Sequence, residues 1–143
     1  MLSNTCKYAI RAVVYLSVYA TPEKKAGIRE ISDKLDIPTP FLGKILQSLA
    51  RNKVLSSTKG PHGGFCLGRQ AEEISLMDIV AIVDGTDIFE TCLVRTTKCS
   101  DEVPCGIHDS VTAVRKELKH FFLNQTIADL ASEFRRDSGR IRI

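Results

Sequence analysis

The chain has no tryptophan, and aromatic residues make up only 6% of its 143 positions. Any core it builds must therefore be mainly aliphatic. It also lacks a long apolar run. The longest, Ala12 to Ala20, is interrupted by Ser17 and is too short to cross a bilayer. The first residues open on a helical pattern rather than a basic-then-apolar leader, so the expected location is the cytoplasm, with no membrane association. Thiols stay reduced there, which argues against structural disulfides and for metal or redox chemistry. There is no C-x-x-C pair, no second ligand set, no Walker pattern and no acid/base constellation. An enzyme is therefore not expected. A net charge of +3, 43% hydrophobic and 26% charged residues describe an ordinary globular chain of about one domain.

What the chain does have is concentrated. Three of its five cysteines and one of its three histidines fall between Cys92 and His108. The residues among them (Thr96, Thr97, Lys98, Ser100, Asp101, Pro104) suit a loop. A thiol-rich loop in a globular chain points to a metal or a disulfide. The other two cysteines read as packing: Cys6 as a small buried hydrophobe near a helix start, and Cys66 as a packing or surface position in a strand.

The rest is mainly helical. Ser3 or Asn4 caps a first helix to about Ala20, which Thr21-Pro22 stops. Ile28 to Leu35 forms a short second helix. After Asp36-Ile37-Pro38, Thr39 is expected to cap a third, with Pro40 at its first position and apolar residues at Phe41, Leu42, Ile45, Leu46 and Leu49. That pair predicts a helix-turn-helix. Two strand-like pieces between Ser56 and Gly68 flank a turn with Gly60, Pro61, Gly63 and Gly64, which predicts a β-hairpin wing. Ser75 opens another helix that Asp84-Gly85 ends. Val111, Val114, Leu118, Phe121 and Phe122 mark a long amphipathic helix from about Ile107 to Asn124. A small head offers that helix little to pack on, so it is expected to pair with a second copy. Thr126 caps a last helix to Phe134, and a basic tail follows. The expected organisation is a winged helix-turn-helix over 1–85, a cysteine loop over 86–106, a dimerisation helix and short terminal helix over 107–134, and a tail over 135–143.

Charge sorts along this plan. From Ile37 to Ala71 the chain carries Lys44, Arg51, Lys53, Lys59 and Arg69 but no acidic residue, leaving the remainder near −2. A basic stretch that coincides with a recognition helix and wing is the electrostatic footprint of a DNA-binding face.

The opening Met-Leu-Ser-Asn-Thr-Cys-Lys-Tyr-Ala-Ile-Arg-Ala, the helix pair, the wing Thr58-Lys-Gly-Pro-His-Gly-Gly-Phe and the three cysteines before a long helix together resemble the Rrf2 family of winged-helix regulators, over residues 1 to about 134. The resemblance implies a homodimer on a pseudo-palindromic DNA operator. It places Thr39, Pro40, Phe41, Gly43 and Lys44 toward the major groove and Lys59 and His62 of the wing toward the minor groove. Arg51 adds a cation to the same face. Gly43 stands where IscR-like members carry a reader such as glutamate, which leaves Lys44 as the expected base reader. The resemblance further implies an iron–sulfur cluster on Cys92, Cys99 and Cys105. The spacing Cys105-Gly-Ile-His108 resembles the Cys-x-x-His of IscR-like members, and Tyr8 stands where NsrR-like members supply a carboxylate. His108 as fourth ligand of a 2Fe–2S cluster is thus favoured over 4Fe–4S. The expected function is a dimeric transcriptional regulator sensing redox state, nitric oxide or iron–sulfur status. The alternatives are a regulator of the same fold responding by thiol oxidation or partner binding, and a Cys₃His zinc site. The gap from Cys92 to Cys99 holds six residues, one more than the family pattern.

Overall fold

The computed structural model describes residues 1–136. Six helices and one two-stranded sheet follow in the order α1 (Asn4–Tyr19), α2 (Ile28–Leu35), α3 (Thr39–Arg51), β1 (Leu55–Thr58), β2 (Gly64–Leu67), α4 (Leu76–Val83), α5 (His108–Asn124) and α6 (Ile127–Arg136). The mainly helical class with a β-hairpin wing is the one expected. The part of the expected tail from residue 137 onward lies outside the described residues, and Arg135 and Arg136 belong to α6.

The first helix is the axis of the fold. Ser3 Oγ accepts from the Cys6 N–H at 3.0 Å and caps it. Cys6, Ala9, Ile10, Val13, Val14 and Leu16 are buried along it, and it packs against α2, α3, α4, α6 and β2. Small residues at Ala9 and Ala12 let those neighbours approach. With no tryptophan to fill space, the core is a mesh of aliphatic side chains, among them Ile31, Leu35, Leu42, Leu46, Leu49, Ile74 and Ile79, all essentially inaccessible to solvent.

The turn between α2 and α3 is tight. Asp36 ends α2 in the left-handed region at φ 53°, Ile37 is buried, and Ser32 Oγ donates to the Ile37 carbonyl at 2.6 Å. One expectation is corrected here. Thr39 lies inside α3 rather than capping it. Pro38 is the cap residue, and its carbonyl receives the Phe41 and Leu42 N–H groups at 3.1 Å each. Thr39 Oγ1 instead lies 3.1 Å from Ser32 Oγ of α2.

The hairpin pairs Leu55 with Leu67 and Thr58 with Gly64. Ala26 bridges Phe65 from the other side, with N–H···O distances of 3.0 and 2.8 Å, and ties the wing to the segment before α2. Gly64 makes this possible: its φ is 148°, and a Cβ there would stand 2.4 Å from the Ala26 carbonyl oxygen.

Ser75 and Asp78 form a reciprocal capping box at the start of α4. Thr126 and Asp129 make the same exchange before α6. The two helix starts are joined by backbone bonds from Leu76 N–H to Gln125 and from Ile127 N–H to Ile74, both 2.9 Å. Helix α5 therefore leaves the head at its C-terminal end, where Phe122 is buried edge-on against Phe89. Among the described residues no helix is long and apolar enough to cross a membrane.

Candidate nucleic-acid interface and metal centre

The two faces of α3 differ sharply. Leu42, Ile45, Leu46 and Leu49 point into the core, while Thr39, Pro40, Phe41, Lys44, Gln47 and Arg51 are exposed. Phe41 leaves 61% of its surface to solvent in the first turn. Lys59 and His62 are exposed in the wing turn. Between α3 and the wing runs a groove of about 520 Å³, bordered by Gln47, Arg51, Ser57, Thr58 and Lys59 with Phe65 and Ala50, and by no acidic residue. Gly43 departs from its expected groove-facing place. It is half-buried beneath α2, where a Cβ would meet Ile28 Cδ1 at 3.2 Å. Its contribution is close helix approach. Gln47, by contrast, shares the outward stripe and was not singled out by sequence reasoning. The signal was present as its spacing of three from Lys44 and four from Arg51.

The cysteine loop is more ordered than its composition indicates. A helical turn at Asp87–Phe89 leads into it, and Thr91 bridges Lys98 in antiparallel fashion. Cys92 N–H donates to the Thr97 carbonyl at 3.0 Å, and Cys99 N–H to Glu90 at 2.8 Å. The six residues between Cys92 and Cys99 thus form a small closed excursion. Lys98 Nζ and Glu90 Oε2, 2.7 Å apart, hold its base. That contact keeps the Glu90 carboxyl below and the Lys98 ammonium above their ordinary ranges, through the hydrogen bond first and the charge second. From α5, Arg115 Nη2 donates to the Thr91 carbonyl.

The four expected ligands come together as two pairs. Cys92 Sγ and Cys105 Sγ are 3.9 Å apart, and Cys99 Sγ and His108 Nδ1 are 3.3 Å apart. His108 is the first residue of α5 and is 9% exposed. Its Nε2 lies 2.8 Å from Asp101 Oδ1. In the tautomer whose Nε2–H donates to that carboxylate, the Nδ1 lone pair faces Cys99. The Cys92 thiol is held below the ordinary range, first by the backbone N–H of Val94, then by that of Arg95, with smaller help from Cys105 and the Arg95 charge. A cleft of about 410 Å³ opens beside Cys99 and His108, and Lys98, Arg115, Lys116 and Lys119 line it. Among the described residues no three His, Cys, Asp or Glu side chains gather closely enough for one metal ion. Cys6 and Cys66 are buried elsewhere in the fold.

Comparison with known proteins places the chain in a family. The Rrf2 model, described as an iron-dependent transcriptional regulator, matches residues 2–133. A helix-turn-helix-type transcriptional regulator of Aquifex aeolicus (strain VF5) is 33% identical over 132 residues, 91% of this chain and 90% of that protein. Two solved structures share the fold. CymR, named as the global cysteine regulator of B. subtilis, has a TM-score of 0.78 at 18% identity, covering 93% of this chain and 97% of that one. T. potens IscR has a TM-score of 0.70 at 20% identity, covering 93% and 87%.

Proposed function

This chain belongs to the Rrf2 family of transcriptional regulators, and from that premise we propose that it acts as a homodimer on a pseudo-palindromic operator, its affinity set by a 2Fe–2S cluster on Cys92, Cys99, Cys105 and His108. The observation that carries the cluster reading is the pairing of the four ligands. Two sulfurs about 2.3 Å from one tetrahedral metal stand about 3.7 Å from each other. The Cys92–Cys105 separation of 3.9 Å and the Cys99–His108 separation of 3.3 Å are of that size. Two ligands for each of two irons is what a 2Fe–2S site uses. When bound, such a cluster supplies a centre that exchanges electrons and reacts with oxygen and nitric oxide.

The protein's own residues connect that centre to DNA. His108 begins α5, and Arg115 about two turns further ties α5 to the loop at Thr91. Helix α5 packs on α4, and α4 packs on α1 and the recognition helix α3. A change in how Cys99 and His108 are held moves the start of α5, and in a dimer joined through α5 it alters the spacing of the two α3 helices. Such a change alters affinity only if operator contacts differ between the states. Phosphates are met by Arg51 and Lys59, Lys44 reaches a base edge in the major groove, and Thr39, Pro40, Phe41 and His62 complete the contact face.

The test is operator binding by the anaerobically reconstituted, the cluster-free and the nitric-oxide-treated protein. Visible absorption and iron and sulfide content should report a cluster, and affinity should differ among the forms. A colourless protein after reconstitution, or one affinity for all three forms, would contradict the reading.

A second reading rests on the same short distance. Cys92 and Cys105 need close by only about 2 Å to form a disulfide. A thiol switch of that kind would persist in His108→Ala, whereas cluster sensing would not.

A further inference from the structure

We infer that Gln47 is a base-reading residue of this protein, taking adenine in the major groove beside the base pair that Lys44 reaches. The inference rests on the DNA-binding reading above. Pro40, Lys44, Gln47 and Arg51 follow one another at intervals of four, three and four along α3, all exposed, while Leu42, Ile45, Leu46 and Leu49 hold the opposite face in the core. These positions form a single outward stripe. A recognition helix in the major groove reads bases from such a stripe over about two turns.

Within the stripe the side chains divide by chemistry. Lys44 and Arg51 are cations, able to serve phosphate or guanine. Gln47 is neutral. Its carboxamide carries two donors and an acceptor, and it makes no hydrogen bond within the described residues. A phosphate oxygen would use only its donors. Adenine presents N7 as acceptor and its N6 amino group as donor, which matches the carboxamide on both sides. Gly43 cannot compete for the role, because it has no side chain and lies under Ile28. Three residues of helix advance about 4.5 Å, a little over the rise of about 3.4 Å per base pair. Lys44 and Gln47 therefore address adjacent pairs. The groove that Gln47 borders is flanked by Arg51, Thr58 and Lys59 and holds no carboxylate to repel a duplex.

The test is selection from a randomised operator pool by the full-length protein, the unchanged chain beside Gln47→Ala and Gln47→Lys. The unchanged chain should select an adenine next to a guanine in each half-site. Gln47→Ala should lose the adenine preference by about 5- to 150-fold, keeping the guanine preference and the salt dependence. Gln47→Lys should move that position toward guanine. An exposed helical Gln→Ala change should leave the thermal midpoint in place, so failure to fold does not confuse the result. If Gln47→Ala retains the adenine preference, or loses affinity uniformly for all sequences with a shallower salt slope, Gln47 is not a base reader. If the unchanged chain shows no sequence preference at all, the DNA-binding reading fails first and this inference falls with it.

Discussion

At the scale of single residues, the five cysteines separate into two kinds that composition alone does not distinguish. Cys6 is fully buried at the start of α1, and burial, then the nearby Asp84 carboxylate, pushes its thiol up to about 12. Such a thiol is inert at neutral pH. Cys66 is buried in β2, at 2% exposure. Cys99 and Cys105 are half-exposed in the loop, and Cys92 lies just beneath it with backbone N–H groups aimed at its sulfur. Brief treatment of the reduced, cluster-free protein with iodoacetamide should therefore label Cys99 and Cys105 first and leave Cys6 and Cys66 unmodified until denaturant is added. Peptide mass spectrometry reads the order, and early labelling of Cys6 would contradict its placement. The packing role of Cys6 was legible in its position on an apolar helix stripe. The pairing of Cys99 with His108 and of Cys92 with Cys105 was not. It depends on the Thr91–Lys98 bridge and on Arg115, which is 24 residues from Thr91, and no spacing rule within the loop contains them.

At the scale of elements, neighbouring phenylalanines near the end of α5 do opposite work. Phe122 is 3% exposed and stacks edge-on against Phe89, while Phe121 is 52% exposed. Val114 and Leu123 are likewise open, at 69% and 51%, so α5 carries an apolar surface that the head does not cover. Phe122→Ala should cost about 3–5 kcal/mol in denaturant unfolding, the usual loss for a buried aromatic. For the proposed dimer joined through α5, Phe121→Asp should leave each protomer folded and shift it to monomer, as sedimentation beside the unchanged chain would show. A Phe121→Asp protein that stays dimeric would remove α5 from the dimer interface. The elements themselves were largely readable, because caps and apolar period agree: Ser3, Ser75 and Thr126 each open a helix, and their side chains make the capping bonds. The start of α3 was misplaced by one residue, because the Pro38 carbonyl takes the first helical bonds and Thr39 turns to Ser32. The role of Gly43 was hidden for a related reason. Its neighbour across the helix crossing, Ile28, lies 15 residues earlier and enters only through the fold.

At the scale of the whole molecule, the proposed switch makes a demand that no single site reveals. The basic face, from Lys44 to Lys59, belongs to a head whose core is continuous from α1 through α6. In the proposed switch a signal arriving at His108 and the start of α5 leaves that core intact, so the phosphate contacts of one head taken alone do not change. What changes is the relation between two heads. An operator with two half-sites at fixed spacing senses that relation, whereas random DNA engaged by one head at a time does not. The predicted signature is therefore selective. Loading or losing the cluster should shift affinity for the intact operator by about 5- to 150-fold, the usual span of coupling between two sites. Affinity for a random duplex of the same length, at the same salt, should stay within about 2-fold, since it follows the number of phosphates each head neutralises. Fluorescence anisotropy titrations of both duplexes, each with loaded and cluster-free protein, measure the two ratios side by side. Equal shifts on operator and random DNA would place the effect within the head, as partial unfolding or direct charge change, and would rule out a switch that works by moving one head against the other.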